Sequence, residues 1–195
     1  MAQFAQPVTL DDQEYLRQLA LKNARLGLLL WRLVNGMVFA FFVFANGMMR
    51  TTQPSWPPPG VQPLDAGVPL GLTILIGLSF FTASRSLSAI RGGEGGSMSQ
   101  QIVMTGALGV AFLVGILLYT GQIPFSGPYS SINITMNLFH ALHAVAGLSL
   151  LGFVLIRARQ GQYGKERYWM VEAAVVFWQF VVLMWVFFFA VIYVL

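Results

Sequence analysis

Residues Trp169 to Leu195 read WMVEAAVVFWQFVVLMWVFFFAVIYVL, 27 residues with a single charged side chain, Glu172, near the start. A helix needs about 20 predominantly apolar residues to cross a hydrocarbon core of about 30 Å. This stretch meets that requirement and is apolar almost all round, with Phe187, Phe188 and Phe189 in succession. A β-barrel would show short segments of alternating polarity instead of one continuous run. Working back along the chain, four more runs of the same kind lie near residues 26–49, 68–87, 102–120 and 133–156. With the stretch at 169–195 they predict an all-α fold class, a polytopic bundle of five transmembrane helices.

Composition agrees. Of 195 residues, 56% are hydrophobic and only 9% are charged, against about 25% charged in an average soluble domain. An aromatic content of 14% excludes a disordered chain. There is no cysteine, so disulfides, thiolate metal sites and cysteine nucleophiles are excluded. The net charge of +4 does not mark a nucleic-acid binder, because no cluster of Lys and Arg forms an aqueous face.

The positive charges instead set topology. With the N-terminus inside, the inner side holds Arg17, Lys22, Arg25, Arg85, Arg91, Arg157, Arg159, Lys165 and Arg167, and the outer loops hold only Arg50. That bias predicts an inside N-terminus and an outside C-terminus. Residues 1–25 hold Asp11, Asp12 and Glu14 and no apolar core, so they are not read as a signal peptide. Thr9 and Asp12 resemble a capping box for a short interfacial helix from Leu10 to Ala24, a cytoplasmic lead-in to the first span. The outer loop from Arg50 to Gly67 is rich in proline and is expected to be stiff. The inner stretch Gly92–Ser97 reads GGEGGS. It lacks the G-K-[ST] of a phosphate loop and is read as a flexible connector.

Polar groups inside a membrane are costly and mark the places to look for function. Six are found: Arg32 and Asn35 on the first span, His140 and His143 on the fourth, Glu172 and Gln179 on the fifth. The two histidines share a helix face. Ligation of a metal or haem is one reading, but no third ligand is evident. Hydrogen bonding to a neighbouring helix or subunit is the other. Arg32 can snorkel to the cytoplasmic interface, contact a lipid phosphate, or pair with Glu172. Trp178 and Trp185 repeat the seven-residue spacing of Glu172 and Gln179 on an adjacent face. Thr105, Gly109, Ala111 and Gly115 suit close helix packing. Nothing forms a catalytic set, a nucleotide loop or a closed metal site.

Three stretches together resemble subunit III of the haem–copper (cytochrome c) oxidases. Trp56-Pro57-Pro58-Pro59-Gly60 followed by Val68-Pro69-Leu70 is similar to the family's W-P-P-x-G loop. Phe139-His140-Ala141-Leu142-His143 with Gly147 is similar to F-H-G-L-H-V-x-x-G. Glu172-Ala173-Ala174 with Phe177-Trp178-Gln179-Phe180-Val181 and Trp185 is similar to E-A-A-x-x-Y-W-H-F-V-D-x-x-W. The resemblance covers about residue 25 to the end and implies the short, five-span form. It implies a subunit with no catalytic, cofactor or metal residues of its own, supporting assembly, lipid binding, proton uptake and durability of an oxygen-reducing, proton-translocating complex. Haem and copper are then expected in the catalytic partner, subunits I and II as partners within a respiratory complex or supercomplex, and bound phospholipid. The expected location is a bacterial cytoplasmic membrane, and the candidate lipid or subunit contacts are Arg32, Asn35, His140, His143, Glu172, Trp178, Gln179 and Trp185. The sequence departs from the family in several places. Asn35 stands where a membrane carboxylate is usual, Gln179 replaces a His, Val182 an Asp and Ala141 a Gly, so a proton role for that carboxylate does not carry over. An accessory subunit of a nitric oxide reductase, and an independent small transporter or assembly factor, are the alternatives.

Overall fold

The computed structural model describes residues 10–194. The chain forms α1 (Leu10–Thr51), α2 (Gly67–Gly92), α3 (Gly95–Gly121), α4 (Pro128–Arg159) and α5 (Trp169–Phe189), and a π-helical turn, Ala190–Val194, ends the described chain. Among the described residues, five helices are long and apolar enough to span a membrane. Thr9, half of the expected capping box, lies outside the described residues.

The helices overrun the spans drawn from hydropathy because their polar ends stay helical. α1 is the largest case. The lead-in and the first span form one 42-residue helix, so Arg17 and Arg25 ride on the same rod as Asn35 and Phe39. The glycine stretch at 92–97 is also tighter than a flexible connector. Only Gly93 and Glu94 lie between α2 and α3. Gly93 takes φ 88°, and the N–H groups of Gly93 and Glu94 donate to the Ile90 and Ala89 carbonyls at 3.0 and 2.9 Å. A left-handed residue of this kind closes a helix end, and glycine adopts it without strain.

Helices α2, α3, α4 and α5 form the core, and α1 leans on α4 and α5 along one stripe of residues. Trp178 is the centre of that core. Its ring is fully buried and lies between Gly109 of α3 and Gly147 of α4, where an added Cβ would come within 2.5 and 2.8 Å of it. Small residues allow such close approach in a membrane. Of the other small residues on α3, Thr105 is buried and Ala111 is exposed. A second cluster joins α1 to α4 and α5: Phe39 packs against Phe139 and Phe188, with centroids 5.0 and 4.9 Å apart. The proline-rich loop folds over the end of the bundle where α1 finishes, where Leu64 N–H donates to the Tyr129 hydroxyl at 3.1 Å and the Tyr119 hydroxyl donates to the Asp65 carbonyl at 2.7 Å.

Candidate functional site

At the opposite end of the bundle from the proline-rich loop, Glu172 sits in the first turn of α5, where the helix dipole favours an acid. Its partner is Arg25, 2.9 Å away, with Arg91 at 4.0 Å. Of the three readings offered for Arg32, this removes the pairing with Glu172. Arg25 and Arg32 are seven residues apart and share a face of α1, but Glu172 lies at the depth of Arg25. One level deeper, α1 meets α5 through Trp31 stacked on Phe177 at 4.5 Å. Arg32 is half-buried and has no ion pair among the described residues. Arg17 ties the lead-in to the α4–α5 loop, donating to the Glu166 carbonyl at 3.0 Å. Between these elements lies an open groove of about 1790 Å³ whose walls include Arg17, Arg25, Arg157, Lys165 and Arg167 against Glu14, Glu166 and Glu172. It is a net-basic basin at the end of the bundle where α5 begins. Burial pushes the Tyr163 phenol on its wall above its ordinary range.

Deeper in the bundle the two histidines part company. His143 faces α1. Its Nε2 lies 3.2 Å from Asn35 Oδ1, and its Nδ1 lies 3.0 Å from the Phe139 carbonyl. Asn35 is held in turn, because its Nδ2 donates to the Trp31 carbonyl at 2.9 Å. His140 faces the other way, fully buried, with Phe112, Trp185, Phe39 and Phe188 around its ring. Neither of its nitrogens finds a hydrogen-bond partner within the protein. Among the described residues, no three His, Cys, Asp or Glu side chains group closely enough to hold a metal ion.

The remaining candidates on α5 face α2. Trp178 Nε1 donates to Ser79 Oγ, Gln179 Nε2 to Ser84 Oγ and Trp185 Nε1 to Thr73 Oγ1, each at 2.9 Å. Trp178 and Trp185 are fully buried, so the surface they dock against is this chain's own α2. Such bonds satisfy groups that lipid cannot.

A family model described as "Cytochrome c oxidase subunit III" matches residues 16–195. The chain belongs to the cytochrome c oxidase subunit III family. Three relatives, each named cytochrome c oxidase subunit 3, give the scale of the similarity. The protein of Synechocystis sp. is 29% identical over 173 residues, covering 87% of this chain and 74% of the relative. That of Cyprinus carpio is 30% identical over 183 residues, covering 88% and 69%. That of Oncorhynchus mykiss is 31% identical over 185 residues, covering 88% and 69%. A member of this family with five apolar helices is an integral membrane protein.

Within this family member, several partners were not singled out by sequence reading. Ser79, Ser84 and Thr73 are the acceptors of α5, and Thr82 bonds Thr105 at 2.7 Å between α2 and α3. Their signal was the run of Ser and Thr through an otherwise apolar α2. Asn133 and Asn137 are also buried; they fall on the face of α4 that carries His140, at spacings of four and three.

Proposed function

We propose that this chain serves as a redox-silent subunit III of a respiratory haem–copper terminal oxidase. It docks beside a catalytic subunit that carries haem and copper, holds phospholipid, and prolongs activity during turnover. What supports the reading is the family match across residues 16–195, together with the three sequence motifs that resemble the family's. The histidines of the second motif differ in surroundings: both nitrogens of His143 have partners on α1 and α4, whereas those of His140 have none within the protein. The membrane is proposed to be a bacterial cytoplasmic membrane, with the N-terminus inside. The nine inner cations against Arg50 support that orientation, and they put the net-basic groove at the cytoplasmic headgroup level. Arginine recognises phosphate through paired N–H donors, so Arg25, Arg157 and Arg167 are the proposed headgroup contacts.

The test is to remove this chain from the purified complex and follow oxygen consumption through repeated turnover. The reading expects normal initial activity, early inactivation, and recovery of lifetime on adding the chain back. A depleted complex that lasts as long as the intact one would overturn the supporting role. Lipid retention is tested separately by mass spectrometry of the complex carrying Arg25→Gln and Arg157→Gln, which should lose bound anionic phospholipid.

A further inference from the structure

Among the described residues, eight buried side-chain nitrogen and oxygen atoms find no hydrogen-bond partner within the protein, and six of them belong to Thr120, Asn133, Asn137 and His140. Asn133 contributes both amide atoms, Asn137 its Oδ1 and His140 both ring nitrogens. Asn133 is 1% exposed, and Asn137 and His140 are 0%. Buried polar atoms in native proteins are almost always satisfied, by protein or by ordered water. In a bilayer the surroundings supply nothing else. A cluster of six such atoms on adjoining elements therefore calls for a common ligand.

The geometry of α4 describes the site. Ser130, Asn133, Asn137 and His140 follow spacings of three, four and three, so they form one stripe. From Asn133 to His140 the stripe runs about 10 Å at 1.5 Å per residue. Asn137 Nδ2 lies 3.4 Å from the Tyr193 hydroxyl, which places the π-helical turn beside the stripe. At the other end, Ser130 and Tyr119 line an outer-end pocket of about 510 Å³ roofed by the proline-rich loop. Thr120, the next residue on α3, carries another of the unpaired atoms. The stripe thus begins at a solvent-facing pocket and ends at a histidine enclosed by aromatic rings.

The chemistry selects the ligand. No Lys or Arg lines the pocket, and Asp65 is its one acidic residue, so an anion meets no cation there. A metal ion meets no acid–imidazole cluster among the described residues. The unpaired atoms are amides, a hydroxyl and an imidazole, a mixture of donors and acceptors. Water, which donates and accepts together and makes about three hydrogen bonds when buried, matches that mixture.

We propose that a file of ordered water molecules enters the bundle from the outer pocket, bridges Thr120, Asn133 and Asn137, and terminates on His140. The chain thereby keeps a hydrated, one-ended inlet within its apolar core.

Two buried tryptophans provide the test. Trp185 packs against His140 at 5.2 Å, at the inner end of the inlet. Trp178 is equally buried but lies between two glycines and away from the stripe. Pulsed radiolytic footprinting in heavy-oxygen water, on the complex purified in mild detergent, labels side chains next to bound water. The inlet predicts label on Trp185 and none on Trp178, and Asn137→Leu should abolish the Trp185 label. Electron microscopy of the same wild-type sample, at a resolution that shows ordered water, should reveal density bridging Asn133 and Asn137, so the test stands even if the variant fails to fold. Equal labelling of the two tryptophans, an alkyl chain in that density, or no density there would each overturn the inlet.

Discussion

Substituting Gly109 by Ala tests whether Trp178 is the centre of the bundle. The new Cβ would lie 2.5 and 2.7 Å from two ring atoms of Trp178 and 2.8 Å from a methyl of Leu148. The ring has little room to retreat. Its far side faces Gly147, its Nε1 is bonded to Ser79 at 2.9 Å, and it has no exposed surface. Overpacking of this kind costs about 1–3 kcal/mol, and the helix propensity of Ala returns at most about 1 kcal/mol. A net loss of up to about 2 kcal/mol follows from these two figures. Two controls isolate the cause. At Gly115 the Cβ meets a Leu72 methyl at 2.5 Å, and this half-buried leucine can swing aside, so Gly115→Ala should stay within about 1 kcal/mol of wild type. At Gly106 nothing lies within 4 Å, so Gly106→Ala should be neutral or slightly stabilising. Unfolding in mixed micelles, at equilibrium, measures all three. Adding Trp178→Phe to Gly109→Ala shrinks the ring and should recover part of the loss, read as a coupling in a double-mutant cycle. Equal stability of the Gly109 and Gly106 variants would refute the packing argument.

Further predictions concern the polar contacts. Asn35→Leu leaves His143 Nε2 without its partner and should cost about 1–3 kcal/mol by the same unfolding assay, whereas Asn35→Asp should recover much of that. Thr73→Val and Trp185→Phe should each destabilise and show a coupling of about 1 kcal/mol in their cycle. Glu172→Gln should cost no more than about 1 kcal/mol, because Arg25 is half exposed, and the loss should shrink in high salt. Arg32→Gln should leave that salt dependence intact, since Arg25 and not Arg32 holds Glu172.

The five spans were legible in the sequence because burial in lipid demands long apolar runs, and nothing else in a chain of this composition produces them. The helix over Glu14 and Arg17 was also read from the sequence; that it runs unbroken into the first span as one helix was not, because a polar lead-in carries no signal of continuity with the apolar run. Partner choice was legible only in part. The sequence reading offered Arg32 for Glu172 and passed over Arg25, seven residues earlier on the same face, because the choice depends on the depth at which α5 begins. It also placed His140 and His143 on one face of α4. That they separate, one to Asn35 and one to an aromatic enclosure, depends on α1 and α3 packing on opposite flanks of that face. Asn133 and Asn137 were not singled out, although their spacing to His140 is in the sequence. Their burial is a tertiary feature, with the π-helical turn beside Asn137 through Tyr193.

The central claim is that this chain works inside an oxidase. The most direct measurement is to purify it, tagged, in mild detergent from its native membranes. The reduced-minus-oxidised spectrum, the metal content and the co-purifying chains are then recorded. The account predicts haem and copper together with a large many-span partner. Haem and iron without copper would place it with a nitric oxide reductase, and a colourless protein free of partners would contradict the account outright.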